Sequence, residues 1–245
     1  MSTSYLRRAS VALAVTAILV VAGTADTPRA QAGLHSSSEA VATEAGQALD
    51  ALTLWRETHR PIHYVRYLRA RAHTAGLIAA EFGVSPDRLA GDWGDADEHK
   101  QVALLSALTQ LGVPYHSMWS KPGVGFDCSG LTTWAFAEAG IELPRISGEQ
   151  IRAAENVPAE EAEPGDLAWY PGHVSIYLGE NLLVHSPNSG NVVEVIEVPS
   201  RTSRYGDAVS ALAPADAVAG APAVPEDRAA DATASADITP GSLDG

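Results

Sequence analysis

Apolar residues recur at steps of three and four between Ile62 and Ile78, which is the pattern of one face of an amphipathic helix. Pro61 suits the first turn of this helix, because proline lacks the N–H that would be unpaired there. Gly83 suits its end, since glycine readily adopts the left-handed conformation. Together with an apolar face around Leu52 upstream, the pattern predicts a helical segment over residues 33–94.

Two more helices are predicted downstream. The first lies within residues 95–112, with Asp95 or Asp97 as its cap and an apolar stripe that includes Leu105. The second runs from Ser129 to Ala139 and is followed by a glycine. After residue 166 the apolar period changes to two. Short β-type runs are predicted at 167–170, 174–178, 182–185 and 192–198. Helices followed by an antiparallel meander predict the α+β class, with helices packed on a small sheet.

Both ends of the chain differ in composition from the middle. Residues 1–32 have the features of an export signal: Arg7 and Arg8, a 12-residue apolar run and an Ala30-Gln31-Ala32 cleavage motif. An uncleaved membrane anchor is the alternative. The nearby sequence has no cysteine, so we expect no lipid anchor. Residues 206–245 are rich in Ala, Pro and Asp without periodicity, which predicts a disordered acidic tail.

These boundaries leave residues 95–205 as the main predicted domain of a secreted protein. The net charge of −14 over 245 residues argues against nucleic acid or an anionic membrane as the main partner.

Cys128 is the only cysteine of the chain, so it cannot form an intramolecular disulfide. A glycine-rich stretch at 122–125 precedes it, and a predicted helix follows it. The N-terminus of a helix favours a thiolate, because unpaired N–H groups and the helix dipole stabilise negative charge there. We therefore interpret Cys128 as a nucleophile in its ionised form.

Two histidines lie on neighbouring predicted strands. His173 follows the Pro171-Gly172 turn, and His185 comes 12 residues later, across a hairpin. Adjacent antiparallel strands would bring the rings together, with His173 as the base of Cys128 and His185 fixing its tautomer. A Cys-His-His metal site is the alternative. No further Cys or His pair has the spacing of metal ligands, so we expect neither metal nor cofactor.

Several motifs occur in the order of a known family. They are Leu111-Gly112-Val113-Pro114-Tyr115, Gly125-Phe126-Asp127-Cys128-Ser129-Gly130-Leu131, Leu143-Pro144-Arg145, Pro164-Gly165-Asp166-Leu167, Gly172-His173-Val174-Ser175-Ile176-Tyr177 and Leu183-Val184-His185-Ser186-Pro187. In these motifs the chain resembles the NlpC/P60 family, the papain-like cysteine peptidases of bacterial cell walls. The resemblance implies a papain-like domain with Cys128 as nucleophile, His173 as base and His185 as orienting residue. It also implies Tyr115 beside the nucleophile, with Asp127 and Ser129 on the substrate side.

The implied reaction is hydrolysis of an amide in peptidoglycan stem peptides, most often between D-glutamate and a diamino acid, through a thioester. The family usually has a Trp-Gly-Gly turn soon after Tyr115. Here Trp119 comes four residues after Tyr115 and the paired glycines are absent, which predicts a reshaped loop over 116–124.

Two rival interpretations stay open: a non-catalytic wall-binding or scaffold module on the same fold, and a toxin that cuts a competitor's wall. The arginines of the N-terminal helices are either a solvated face, or a surface that contacts acidic wall polymer or packs on the catalytic domain.

Overall fold

A computed structural model describes the backbone of residues 28–212 and the side chains from residue 37 onward. The predicted export signal, apart from residues 28–32, and residues 213–245 of the predicted tail lie outside the described residues. The helices are α1 Pro28–Thr58, α2 Pro61–Phe82, α3 Pro86–Asp95, α4 Glu98–Leu108, α5 Cys128–Glu138, α6 Ser147–Ala153 and α7 Ala208–Leu212. The strands are β1 Ser120–Lys121, β2 Gly125–Phe126, β3 Glu155–Val157, β4 Leu167–Tyr170, β5 His173–Gly179, β6 Leu182–His185, β7 Glu194–Glu197 and β8 Arg204–Asp207.

Local capping sets the bounds of the first helices. After α2, Gly83 adopts a φ of 69°, and the N–H of Val84 then reaches the Ala79 carbonyl at 3.1 Å. The Ser85 side chain accepts a hydrogen bond from a backbone N–H at the start of α3. Asp97, one of the two predicted caps, does the same for α4. The helical prediction for this part of the chain is therefore confirmed.

The main sheet has six strands in the order β3-β8-β4-β5-β6-β7, and each neighbouring pair is antiparallel. Strands β4 to β7 coincide with the four runs predicted from the period of two. A separate pair, β1 with β2, lies beside the start of α5. Helices packed on a small antiparallel sheet, after a helical segment, confirm the predicted α+β fold class.

Ordered structure extends beyond the predicted domain end at residue 205. The prediction of disorder from residue 206 is wrong for residues 206–212, which complete β8 and form α7. Gly206 pairs with Leu167 in the sheet, and the Asp207 carboxylate accepts the Val209 N–H at the start of α7. These contacts are long-range or depend on one side chain, so the composition of the segment does not reveal them.

The N-terminal helices and the sheet share one hydrophobic core. Leu89 and Trp93 of α3 are fully buried, and the indole N–H of Trp93 donates to the Leu178 carbonyl of β5 at 2.7 Å. In addition, Arg56 of α1 pairs with Glu98 of α4 at 2.7 Å. The helical segment is thus packed on the domain that was predicted to follow it. No helix among residues 28–212 is long and apolar enough to cross a membrane.

Lys100 of α4 is a buried cation that joins three parts of the fold. Its Nζ lies 2.9 Å from Asp166, 2.9 Å from Asp207 and 3.0 Å from Glu163. Burial alone would lower the pKa of Lys100, but hydrogen bonds to these carboxylates outweigh it and raise the pKa. Gly165, with a φ of +95°, passes so close that a Cβ there would lie 2.4 Å from the Lys100 Cβ. Lys100 therefore holds the residue before β4 against the last residue of β8.

Candidate active site

Cys128 is the first residue of α5, where the sequence placed the nucleophile. The carboxylate of Asp127 caps this helix and accepts the Gly130 N–H at 2.7 Å. The preceding strand is held in place because the Phe126 carbonyl accepts both the His116 N–H and the Ser186 hydroxyl. The thiol is free and half-buried. The turn into α5 thus presents the sulfur at a helix N-terminus.

The two predicted histidines lie together. His173 begins β5 and His185 ends β6, and His173 Nε2 is 2.9 Å from His185 Nδ1. The rings are nearly perpendicular, at 85°, and both residues are buried. The His173 ring also stacks on the Tyr170 ring at a centroid distance of 5.0 Å. These contacts hold the His173 ring in one orientation.

The Cys128 thiol faces the start of β5. It receives hydrogen bonds from the backbone N–H groups of Val174, the residue after His173, and of Ser129. These bonds favour the thiolate, but burial outweighs them and, with the nearby Asp127 charge, raises the pKa of Cys128. The direction of this shift disfavours the expected resting thiolate, because burial outweighs the hydrogen bonds that stabilise the charge.

Both imidazoles are also shifted toward their neutral form. Burial, assisted by the Arg201 charge, lowers the pKa of His173 to about 4. Burial lowers the pKa of His185 to about 3, with further contributions from His173 and Arg201. Near neutral pH these shifts favour a protonated thiol and neutral imidazoles. Such a pair suits general-base activation of the thiol during attack rather than a preformed ion pair.

Tyr115 lies close enough to Cys128 for the two groups to interact electrostatically. Burial raises the pKa of Tyr115, and the charges of Asp127 and of Cys128 in its thiolate form raise it further. The phenol therefore keeps its proton at neutral pH and can donate a hydrogen bond. This position agrees with the predicted place of Tyr115 beside the nucleophile.

Asp127 and Ser129, predicted on the substrate side, are engaged within the protein. Arg145 binds both, with Nη2 2.7 Å from Asp127 Oδ2 and Nη1 2.8 Å from the Ser129 hydroxyl. Both residues are buried, and Asp127 Oδ2 also accepts the Met118 N–H at 2.7 Å. The two side chains hold the turn around the nucleophile, so their contact with substrate stays a prediction that these bonds do not favour.

The reshaped loop over 116–124 has its own aromatic cluster. The His116 and Trp119 rings stack at 4.3 Å, and Lys121 Nζ lies 4.2 Å from the centroid of the Trp119 ring. The Trp119 carbonyl accepts the Asp127 N–H at 3.0 Å, which ties the loop to the turn before Cys128. Met118, 77% exposed, lies at the outer side of this loop.

Two charged residues of the site carried no role in the sequence analysis. Arg145 was part of a quoted motif, and its bonds to Asp127 and Ser129 appear only in the structure. Glu194 lies directly across the strand pair from His185, with Oε1 3.6 Å from His185 Nε2. The sequence feature that could have indicated Glu194 is a carboxylate within the β-type run that follows His185. In the part of the chain that the structure describes, no cluster of three His, Cys, Asp or Glu side chains has the geometry of a metal site.

Comparisons with known proteins agree with these features. Residues 112–208 match the model of the NlpC/P60 family. A probable endopeptidase of Mycobacterium tuberculosis is 40% identical over 125 residues, which is 50% of this chain and 30% of that protein. The bifunctional muramidase/DL-endopeptidase CwlT of Bacillus subtilis is 41% identical over 105 residues, 40% of this chain and 32% of that protein.

Two further matches come from mycobacteria. The peptidoglycan endopeptidase RipB of Mycobacterium tuberculosis is 38% identical over 120 residues, 42% of this chain and 50% of that protein. The crystal structure of a P60 domain from a Mycobacterium avium subspecies paratuberculosis antigen is 30% identical, covers 46% of this chain and 96% of its own, and superposes with a TM-score of 0.41. The chain spans at most half the length of the three relatives just compared.

Proposed function

Because the chain belongs to the NlpC/P60 family, we propose that it is a cysteine endopeptidase that hydrolyses an amide bond in peptidoglycan stem peptides. The observation that carries the proposal is the placement of Cys128 at a helix N-terminus, facing the strand that begins with His173, while His185 lies 2.9 Å from the far nitrogen of that ring. A thiol, a base and a group that orients the base are the parts that nucleophilic acyl transfer requires.

The proposed reaction begins with the neutral pair. As the Cys128 sulfur attacks the scissile carbonyl carbon, the thiol proton passes to Nδ1 of His173, and Nε2–H of that ring donates to His185. The Tyr115 hydroxyl and the Cys128 backbone N–H are the proposed donors to the oxyanion. His173 then gives its proton to the leaving amine as the C–N bond breaks, and a thioester remains. Water adds to the thioester carbonyl and releases the acid and the thiol.

The finer assignments belong to the same proposal. The scissile bond would join D-glutamate, through its γ-carboxyl, to a diamino acid, and the named DL-endopeptidase among the relatives supports this choice. The predicted export signal in residues 1–32 supports action outside the membrane, at the cell wall. No metal or cofactor takes part in the proposed reaction.

Digestion of purified peptidoglycan fragments tests the proposal. The wild-type chain, Cys128→Ala and His173→Ala are compared, with His73→Ala, an exposed histidine of α2, as the matched control. Mass spectrometry of the products should show stem-peptide cleavage by the wild type and the control only. If no cleavage depends on Cys128 while the chain still binds the fragments, the protein is a wall-binding module and the proposal fails.

A further inference from the structure

The proton on the His173–His185 contact has two possible positions, and only one allows catalysis. Nε2 of His173 and Nδ1 of His185 are 2.9 Å apart, so one nitrogen donates and the other accepts. If His173 is to take the thiol proton on Nδ1, its resting proton must be on Nε2. His185 Nδ1 must then be the acceptor, and the proton of His185 must be on its own Nε2.

That Nε2 is buried and has no hydrogen-bond partner among the described residues. A buried N–H without a partner is uncommon and costly in folded proteins. A carboxylate is nearby, since Glu194 Oε1 lies 3.6 Å from it, slightly beyond hydrogen-bonding range. An approach of roughly 0.5 Å would complete a charge-assisted hydrogen bond.

The backbone fixes Glu194 opposite His185, while its side chain keeps room to move. His185 and Glu194 are register partners in the β6–β7 pair. The Glu194 side chain is 45% exposed and lines a cavity of about 440 Å³ between β7 and the N-terminal helices, with Val41 and Ile78 on the far wall. The carboxylate can therefore turn toward the His185 ring without a change in the sheet.

We propose that Glu194 is a positioning residue, whose carboxylate accepts a hydrogen bond from His185 Nε2–H and so holds His185 in the tautomer that accepts from His173. The inference rests on the proposed function in one respect, because the thiol proton has to reach His173. It adds a negative charge to a pair that is otherwise neutral, and this charge stabilises the imidazolium that forms on His173 during attack.

Other charged and titratable groups face the same pair. They are Cys128 from α5, Tyr170 from β4 and Arg201 from the segment after β7. Glu81 of α2 lines the same cavity as Glu194. Arg201 opposes the imidazolium, since its charge lowers the pKa of both rings. Glu194 is the carboxylate nearest to His185 in the described structure. Its removal should therefore affect His185 more than the removal of any acid on the outer surface of the sheet.

Steady-state kinetics on a stem-peptide substrate provides the first test. Glu194→Gln should lower kcat about tenfold with KM unchanged, because a charged acceptor becomes neutral and no substrate contact is lost. Removal of the carboxylate also makes the imidazolium less stable, so the acid limb of the pH–rate profile should move to lower pH. Glu197→Gln removes the same charge from an exposed position on the same strand and should change neither quantity. Equal behaviour of the two variants would overturn the proposal.

Nitrogen-15 NMR of the histidine rings provides a second test that needs no substrate. His185, assigned through His185→Gln, should carry its proton on Nε2 in the wild type. Glu194→Ala should increase the Nδ1–H form, and Glu194→Asp should restore part of the Nε2–H form. An Nδ1–H tautomer in the wild type, or equal tautomer populations in wild type and Glu194→Ala, would contradict the proposal. If the wild type cleaves no stem peptide, the proposed function fails while this measurement still decides the role of Glu194.

Discussion

Replacement of Lys100 by methionine should unfold the protein at a much lower temperature, although no part of the active site is touched. Methionine nearly matches the length of lysine, so the change removes the charge and leaves most of the packing. The Lys100 side chain is 5% exposed, and its three carboxylate partners differ in burial: Asp166 is 1% exposed, Asp207 13% and Glu163 60%.

The three carboxylates would respond differently to the loss. Glu163 returns to solvent at little cost, and Asp207 keeps three donors from Val209 and Ser210. Asp166 Oδ1, in contrast, has no hydrogen-bond partner in the described chain apart from its 2.9 Å ion pair with Lys100. Leaving one member of a buried pair alone costs about 3–5 kcal/mol. At about 2–4 °C of Tm per kcal/mol for a domain of this size, Tm should fall by about 6–20 °C.

Thermal unfolding followed by circular dichroism measures this loss. Arg88→Met is the matched control, because Arg88 is 67% exposed and pairs with Glu180 at 3.2 Å, and an exposed pair contributes about 0–1 kcal/mol. Asp166→Asn in the Lys100→Met background should recover part of the stability by removing the buried charge. A Lys100→Met protein that melts with the Arg88→Met control would refute the reasoning.

Three further predictions concern the thiol, the Lys100 turn and the contact between the two parts of the core. Because burial raises the pKa of Cys128, the rate of alkylation by iodoacetamide should keep rising with pH above neutrality. A rate plateau that extends from neutral into acidic pH would instead indicate a preformed thiolate–imidazolium pair, with a lowered pKa for Cys128 and a raised one for His173. Gly165→Ala should lower the free energy of unfolding in urea by about 1–3 kcal/mol, because the backbone conformation disfavours a Cβ and Lys100 leaves no space for it. Gly190→Ala is the control: Gly190 has a similar φ with open space around it, so this change should lower the free energy of unfolding less. Trp93→Phe should lower the free energy of unfolding by about 1–3 kcal/mol, because the buried Leu178 carbonyl loses its donor. Trp169→Phe should lower it less, because the buried indole N–H of Trp169 has no hydrogen-bond partner among the described residues.

Features that depend on local pattern were predictable from the sequence. The period of two located β4 to β7, because these strands have alternating or continuous apolar side chains bounded by turns. Pro61, Gly83 and Asp97 located helix ends through their own backbone and side-chain chemistry. The hairpin between His173 and His185 brought the rings together for the same reason, since two adjacent antiparallel strands need no long-range information to pair.

Features that depend on distant partners were not predictable. β3 and β8 are short, and β3 is largely exposed, so neither has an apolar period to mark it. The sequence places Lys100 on a helix but does not show that it is buried, because the carboxylates that surround it come much later in the chain. The direction of the Cys128 pKa shift was also missed, because the balance between a helix N-terminus and burial depends on how much protein covers the sulfur.

The common core of α3 and β5 has a consequence for how this domain can be divided. A chain that begins at residue 95 would lack Leu89 and Trp93, both fully buried, and would leave the Leu178 carbonyl without its indole donor. The family match starts at residue 112, yet the shared hydrophobic core includes buried residues well before it. Transfer of residues 112–208 alone to another protein would therefore leave out part of the buried core and expose an apolar surface that favours self-association.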